Sequence, residues 1–316
     1  MRKSAQTSLD VFGIASSAKK HLDDDAINGI ARFVMSKMNE DGGFQGRSSS
    51  SDLYYTFFAL ASLAGLGVSK PVSPAISYVN KIDASRLGFI DLYCLACTKP
   101  MLAYLRLPDK FKALALLTAR KSGMFAGRPV KDILGRLEGF RSKDGGYNQN
   151  TRDSRHGTVY ASFLACQAYE NLGLDIPDKN GILNSLEDLK ASDGGYANQP
   201  DMAFGTTTAT AAAAIIKLHL ENKSSRAAAK WLLGQQLPSG GFRASPHTPI
   251  ADMLSTATAV LALRQMGHKF ESRQEIIDFV EAHWDDSGGF FGSALDPVCD
   301  CEYTFYGLLI LGCLLE

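Results

Sequence analysis

The tetrapeptide Asp41-Gly42-Gly43-Phe44 keeps returning in altered form: Asp144 to Tyr147 and Asp193 to Tyr196 read D-G-G-Y, while Ser239 to Phe242 and Ser287 to Phe290 read S-G-G-F. The glycine pairs begin at 42, 145, 194, 240 and 288, about 48 residues apart except for one gap of about twice that length. A degenerate copy lies inside the gap, where Leu87-Gly88-Phe89 precedes Asp91-Leu92-Tyr93-Cys94 and echoes Asp52-Leu53-Tyr54-Tyr55 of the first unit. The chain therefore reads as six units. A period of this length without strand-like alternation marks helical hairpins, each too small to bury its apolar face alone and so stacked on its neighbours.

Within a unit, the segment before the glycines is amphipathic, as in the run from Asp25 to Met38, and predicts an outer helix. A polar loop follows the glycines, and then a far more apolar helix such as Tyr55 to Leu66, with Gly67 in the place of a left-handed cap. Its counterparts are Tyr160 to Leu172 before Gly173, Thr207 to Leu220, and Thr256 to Met266 before Gly267. Segments apolar nearly all round are expected to be buried. Six hairpins with buried inner and polar outer helices predict an all-α fold, an α/α toroid whose inner ring surrounds a central cavity. Residues 1–22 read as an N-terminal extension and 23–316 as a single toroid. The glycine pairs then reverse the chain at backbone angles that other residues resist.

Lys plus Arg balance Asp plus Glu at 33 each, so no global charge points to nucleic acid or an anionic membrane. No apolar run approaches a membrane span, and the Val11 to Ala15 run is too short for a signal-peptide core, which predicts a cytoplasmic protein. Six cysteines in 316 residues form no disulfide framework and read as reduced thiols.

The pattern G-G-F-x-G-R, loop, D-x-x-Y-T, apolar helix, glycine resembles the repeats of the prenyltransferase and squalene cyclase family. It is similar above all to protein prenyltransferase β subunits of the Rab geranylgeranyl transferase type, from about residue 25 to the end. The resemblance implies a toroid that holds an isoprenoid small molecule, transfers it to an acceptor and works with a helical α-type subunit. It also implies a catalytic zinc, bound by a D-x-C at the start of the penultimate inner helix and a His at the start of the last. Here the D-x-C falls on Asp252-Met253-Leu254, and the His position carries Tyr303. Cys299, Cys301 and Glu302 stand nearby as substitutes, so Asp252, Cys299 and Cys301 are the candidate ligands for zinc, or for magnesium with oxygen donors. The related cyclases place an acid in D-x-D-D-T-A at this helix start; Asp252 to Ala257 keeps only its first Asp and the Thr-Ala.

Asp52, Asp91, Asp252 and Asp300 occupy related positions in units that become consecutive once a ring closes. Two readings stand for them. Each is an ordinary N-cap for its helix, or Asp252, Asp300 and Asp52 together form a catalytic or cation-sharing sector. Arg155, which the resemblance sets where the family contacts diphosphate, and His156 are the candidate anion contacts. Tyr54, Tyr55, Tyr160, Tyr303 and Tyr306 face Thr- and Ala-rich helices in units four and five, a pairing that suits an elongated apolar ligand as well as plain core filling. The alternatives to prenyl transfer are a terpene cyclase-like enzyme with a rearranged Asp acid and a non-catalytic lipid-binding or scaffolding toroid. A glycan-cleaving toroid with paired carboxylates ranks below them, since the G-G-F-x-G-R repeat is not its signature.

Overall fold

In the computed structural model, which describes residues 11–68, 72–108 and 127–315, the glycine pairs lie in the turns of helical hairpins. Gly145 illustrates why glycine is required there: its φ is +93°, and a Cβ would stand 2.5 Å from the Cα of Gly181. Asp144 Oδ1 accepts from Gly146 N at 3.1 Å and, across the loop, from Gly157 N at 3.1 Å, so the aspartate of D-G-G ties both strands of the loop together. Asp193 does the same for Gly195 N and Gly205 N, at 3.0 and 3.3 Å.

The aromatic residue that ends each motif is buried, and its backbone N–H is held by a hydroxyl on the following helix. Phe44 N donates to Thr56 Oγ1 at 2.9 Å, Tyr147 N to Ser162 Oγ at 3.1 Å, Tyr196 N to Thr210 Oγ1 at 2.9 Å, Phe242 N to Thr256 Oγ1 at 2.9 Å and Phe290 N to Thr304 Oγ1 at 3.2 Å. The threonine of D-x-x-Y-T is thus the latch that fixes the turn to the helix after it.

The elements follow in order. α1 spans Val11–Ser17 and α2 Asp24–Ser36; the ribbon β1 (Phe44–Gln45) and β2 (Ser51–Asp52) leads into α3 (Leu53–Gly65). Then come α4 (Val72–Asn80), α5 (Phe89–Leu105), α6 (Arg128–Glu138), α7 (Val159–Asn171), α8 (Lys179–Glu187), α9 (Thr207–Glu221), α10 (Arg226–Leu233), α11 (Met253–Gln265) and α12 (Arg273–Glu281). The hairpin β3 (Phe290–Ser293) and β4 (Asp296–Asp300) precedes α13 (Cys301–Cys313). The even-numbered helices from α2 to α12 form the outer ring and the odd-numbered ones from α3 to α13 the inner ring.

Each inner helix packs on the next, and α13 packs on α3, which closes the circle. The chain is therefore an α/α toroid, with antiparallel ribbons no longer than a few residues at its rim. α3, α7 and α11 end where expected, before Gly67, Gly173 and Gly267 at φ +73°, +66° and +82°. α9 ends instead on Asn222 at φ 55°, since asparagine is among the few other residues that tolerate this angle. Unit two lacks a glycine-pair turn. Gly88 at φ −76° serves as the N-cap of α5, and Asp91 falls inside the first turn.

α1 belongs to the segment read as an N-terminal extension, of which residues 1–10 lie outside the described residues. It rests on α13 and α3, with Ala15, and Ala18 just after its end, buried and the backbone of Ile14 lying against Gly312. No helix among the described residues is long and apolar enough to cross a membrane.

Candidate functional site

The turns and the first turns of the inner helices share one rim of the ring, and the carboxylates singled out in the sequence sit there as helix caps. Asp52 Oδ1 accepts from Tyr54 N at 2.7 Å and Tyr55 N at 3.2 Å, Asp252 Oδ1 from Ser255 N at 2.8 Å, and Asp300 Oδ1 from Tyr303 N at 2.9 Å. Each satisfies N–H groups that its own helix leaves without a partner. Burial pushes the Asp252 and Asp300 carboxyls up from the ordinary aspartate range, opposed mainly by those same bonds.

The charge of Asp300 is relieved by Arg47, the last residue of D-G-G-F-Q-G-R. The Arg47 guanidinium lies 2.7 Å from Asp296 Oδ2 and 3.4 Å from Asp300 Oδ2, and it joins the first unit to the last where the ring closes. Asp300 is 2% exposed, and its Oδ2 has no hydrogen bond. Tyr55 packs over Gly46 on one side of this ion cluster, and Tyr303 lies on the other, its ring centroid 5.9 Å from the guanidinium. Both phenols are pushed up by burial, Tyr303 to about 12.

Among the described residues no three His, Cys, Asp or Glu side chains stand grouped as metal ligands, and Asp252, Cys299 and Cys301 are not brought together. Burial pushes the Cys301 thiol up to about 12 and the Cys299 thiol to about 11. Cys301 is fully buried, and Lys37 of the segment after α2 is the cation whose charge reaches both thiols. Asp252 has His283 of unit six in its field, a ring whose Nδ1 is 2.8 Å from Phe279 O.

Inside the ring, phenols from three inner helices gather around one carboxyl. Tyr54 of α3 donates from its hydroxyl to Glu302 Oε1 of α13 at 2.6 Å; Tyr306, one turn further along α13, and Tyr160 of α7 stand in the field of the same carboxyl. Phe58 completes the wall, with ring centroids 4.8 Å from Tyr54 and 5.6 Å from Tyr306, both edge-on. Burial raises the Glu302 carboxyl, and the hydroxyls of Tyr54 and Tyr306 pull it back toward the charged form. Burial likewise raises the phenols of Tyr54, Tyr160 and Tyr306.

Tyr160 is nonetheless 38% exposed. Tyr160 stands on an inner helix, α7, with Tyr54 of α3 and Glu302 of α13 in its field, so its exposed edge faces the centre of the ring, called the chamber below. Phe163, Thr208, Leu254, Thr258 and Glu302 continue this partly accessible face around the inner helices. In the sequence Glu302 read as a substitute ligand beside Cys299 and Cys301; its spacing from Tyr306, four residues along one helix face, was the signal that it joins the phenols. Arg155 and His156 lie exposed on the loop before α7, five and four residues ahead of Tyr160; His156 Nδ1 is 3.7 Å from Asp144 Oδ2.

The profile of the prenyltransferase alpha-alpha toroid domain matches residues 5–87, 91–219 and 202–316. Among solved structures, a protein from Actinoplanes is similar with a TM-score of 0.57 and 15% identity, over 92% of this chain and 98% of that one. Candida albicans protein geranylgeranyltransferase-I, complexed with GGPP, gives a TM-score of 0.44 and 12% identity over 66% of this chain, which spans 64% of the length of that one. At such identities the likeness is one of fold. No curated protein matches the sequence.

Proposed function

The chain belongs to the prenyltransferase alpha-alpha toroid family, and on that premise we propose that it binds an isoprenoid diphosphate, chain inward and diphosphate at the rim, and transfers the prenyl group to an acceptor. The observation that carries this reading is the chamber face of α7, where Tyr160 stands accessible among desolvated rings with Phe163 one turn below it. Flat rings on α3, α7 and α13, with the small side chains Thr208 and Thr258 on α9 and α11, would offer a branched hydrocarbon chain edges and faces to pack on. Arg155 and His156 supply cationic and hydrogen-bonding groups near the head of such a chain.

The cap carboxylates Asp52, Asp252 and Asp300 give less support to a cyclase-like acid, because the Oδ1 of each is already engaged by backbone N–H groups. A helical partner subunit would find apolar side chains on the β3–β4 hairpin, where Leu295 is 81% and Val298 50% exposed.

Equilibrium dialysis with labelled geranylgeranyl diphosphate tests the reading. The expected result is saturable binding of one molecule per chain, weakened about tenfold, or about 1.4 kcal/mol, by Tyr160→Ala, and weakened also by Arg155→Ala. Absence of saturable binding, or binding that neither substitution alters, overturns it.

A further inference from the structure

Among the described residues, a cavity of about 290 Å³ opens between the inner helix α5 and the outer helices α4 and α6, so α5 stands between it and the chamber. Ile76 and Val79 of α4, Leu102 of α5 and Val130 of α6 wall it with hydrocarbon. Lys99 of α5 and Arg106 at its C-cap bring two positive charges, and none of the described lining residues is acidic. Helix periodicity builds the wall: Lys99, Leu102 and Arg106 recur at three and then four residues and share one face of α5.

The cations have nothing to balance them. Among the described residues neither the Lys99 nor the Arg106 side chain makes a hydrogen bond or an ion pair, although Lys99 is half-buried. Burial alone pushes the Lys99 ammonium down from the ordinary lysine range. Gly127, which also lines the cavity, is the N-cap of α6 and offers no side chain to the N–H groups of that helix's first turn, so the positive end of a helix adds to the field.

We propose that this cavity is a binding site for a small anionic amphiphile, its carboxylate or phosphate head on Lys99 and its hydrocarbon tail against Ile76, Val79, Leu102 and Val130. The inference goes beyond the isoprenoid reading and does not depend on it. At the ~30 Å³ that one water takes up in the liquid, the cavity holds about ten non-hydrogen atoms, enough for octanoate and too few for a geranylgeranyl chain. Both halves of the ligand are needed. A bare anion leaves the apolar walls to water, and a neutral hydrocarbon leaves a desolvated ammonium without a counter-charge. Lys99 should carry more of the affinity than Arg106, because a half-buried charge is less screened than the exposed guanidinium.

The test is calorimetric titration of the full chain with octanoate and with octyl phosphate, the tighter of the two assigning the head group. The expected result is one molecule bound per chain with a Kd of about 1 mM or lower. Acetate, which lacks the tail, and octanol, which lacks the charge, should each bind at least tenfold more weakly. Lys99→Met should weaken octanoate at least tenfold and Arg106→Met by about two- to fivefold, while Lys99→Arg retains binding. Ala103→Phe, at an exposed position on the same wall, fills the cavity without altering its charge and should also remove binding. Unfolding temperatures equal to wild type show that these variants are folded, and geranylgeranyl diphosphate should bind Ala103→Phe as it binds wild type, so the two readings fail separately.

No saturable binding, binding that Lys99→Met and Ala103→Phe leave unchanged, or acetate binding as tightly as octanoate would each overturn the inference. So would loss of octanoate binding in Tyr160→Ala, which would put the ligand in the chamber, or a crystal structure in which residues 109–126 fill the cavity.

Discussion

Gly145 and Gly194 share a backbone angle, φ +93° and +89°, and differ in what surrounds them. A Cβ at Gly194 meets nothing within 4 Å, while one at Gly145 runs into the backbone of Gly181. Gly194→Ala should therefore cost about 1 kcal/mol, the price of the angle alone, and Gly145→Ala about 2–4 kcal/mol once overlap is added. Denaturant unfolding of the two variants checks this; equal losses would contradict it. Arg47 makes a second test. Without it Asp300 keeps its burial and loses its counter-charge, so its folded-state pKa, already above the ordinary value, rises further. A raised carboxyl pKa contributes stability that is present below the unfolded value and is lost as pH rises through the folded one. The Arg47→Ala deficit should accordingly be small near pH 3–4 and reach about 1–2 kcal/mol by pH 7, less than for a fully buried pair because solvent screens the partly exposed Arg47; a deficit independent of pH would contradict it. The caps Asp52, Asp252 and Asp300 were legible as N-caps because a cap is a local pattern, an acid just before an apolar helix. The Arg47–Asp300 pair was not, since it joins the first unit to the last and no periodic signal connects them.

At the scale of the element, the hydroxyl latch explains why D-x-x-Y-T recurs. Thr256 Oγ1 accepts from Phe242 N and donates to Asp252 O at 2.7 Å, so one side chain serves the turn and the helix start together. Thr256→Val should leave the buried Phe242 N–H without a partner and lower stability by about 1–3 kcal/mol, whereas Thr256→Ser, the chemistry that unit three uses at Ser162, should stay close to wild type. Thermal unfolding compares the two, and a valine variant as stable as the serine one would remove the latch from the account. The inner helices were legible because they are apolar on nearly every side, and their glycine stops follow from the left-handed angle. Unit two was harder: with no glycine pair, its helix starts at Gly88 and takes Asp91 inside, so the echo of D-L-Y-Y misplaced that acid by part of a turn. Arg155 was assigned by register, and register says nothing of which way a loop side chain points.

For the whole molecule, the six-unit period and its polar-then-apolar alternation made the toroid readable before any coordinates, because hairpins of this kind bury their inner faces by closing on one another. The chamber chemistry was less readable. Glu302 sits beside two cysteines and an aspartate and looked like one more rim acid, and only closure of α13 onto α3 brings Tyr54 to it. The N-terminal helix α1, which carries no repeat signal, rests on those same two helices at the seam. The measurement that most directly tests the central claim is a crystal structure of the full chain with a non-hydrolysable geranylgeranyl thiodiphosphate at saturating concentration. The result expected is continuous density for the chain inside the inner ring, between the rings of Tyr160 and Phe163 and the side chains of Thr208 and Thr258, with the head group at the rim beside Arg155. Density on the outer surface only, or an inner ring whose tyrosines stay as they are with no chain between them, would contradict it.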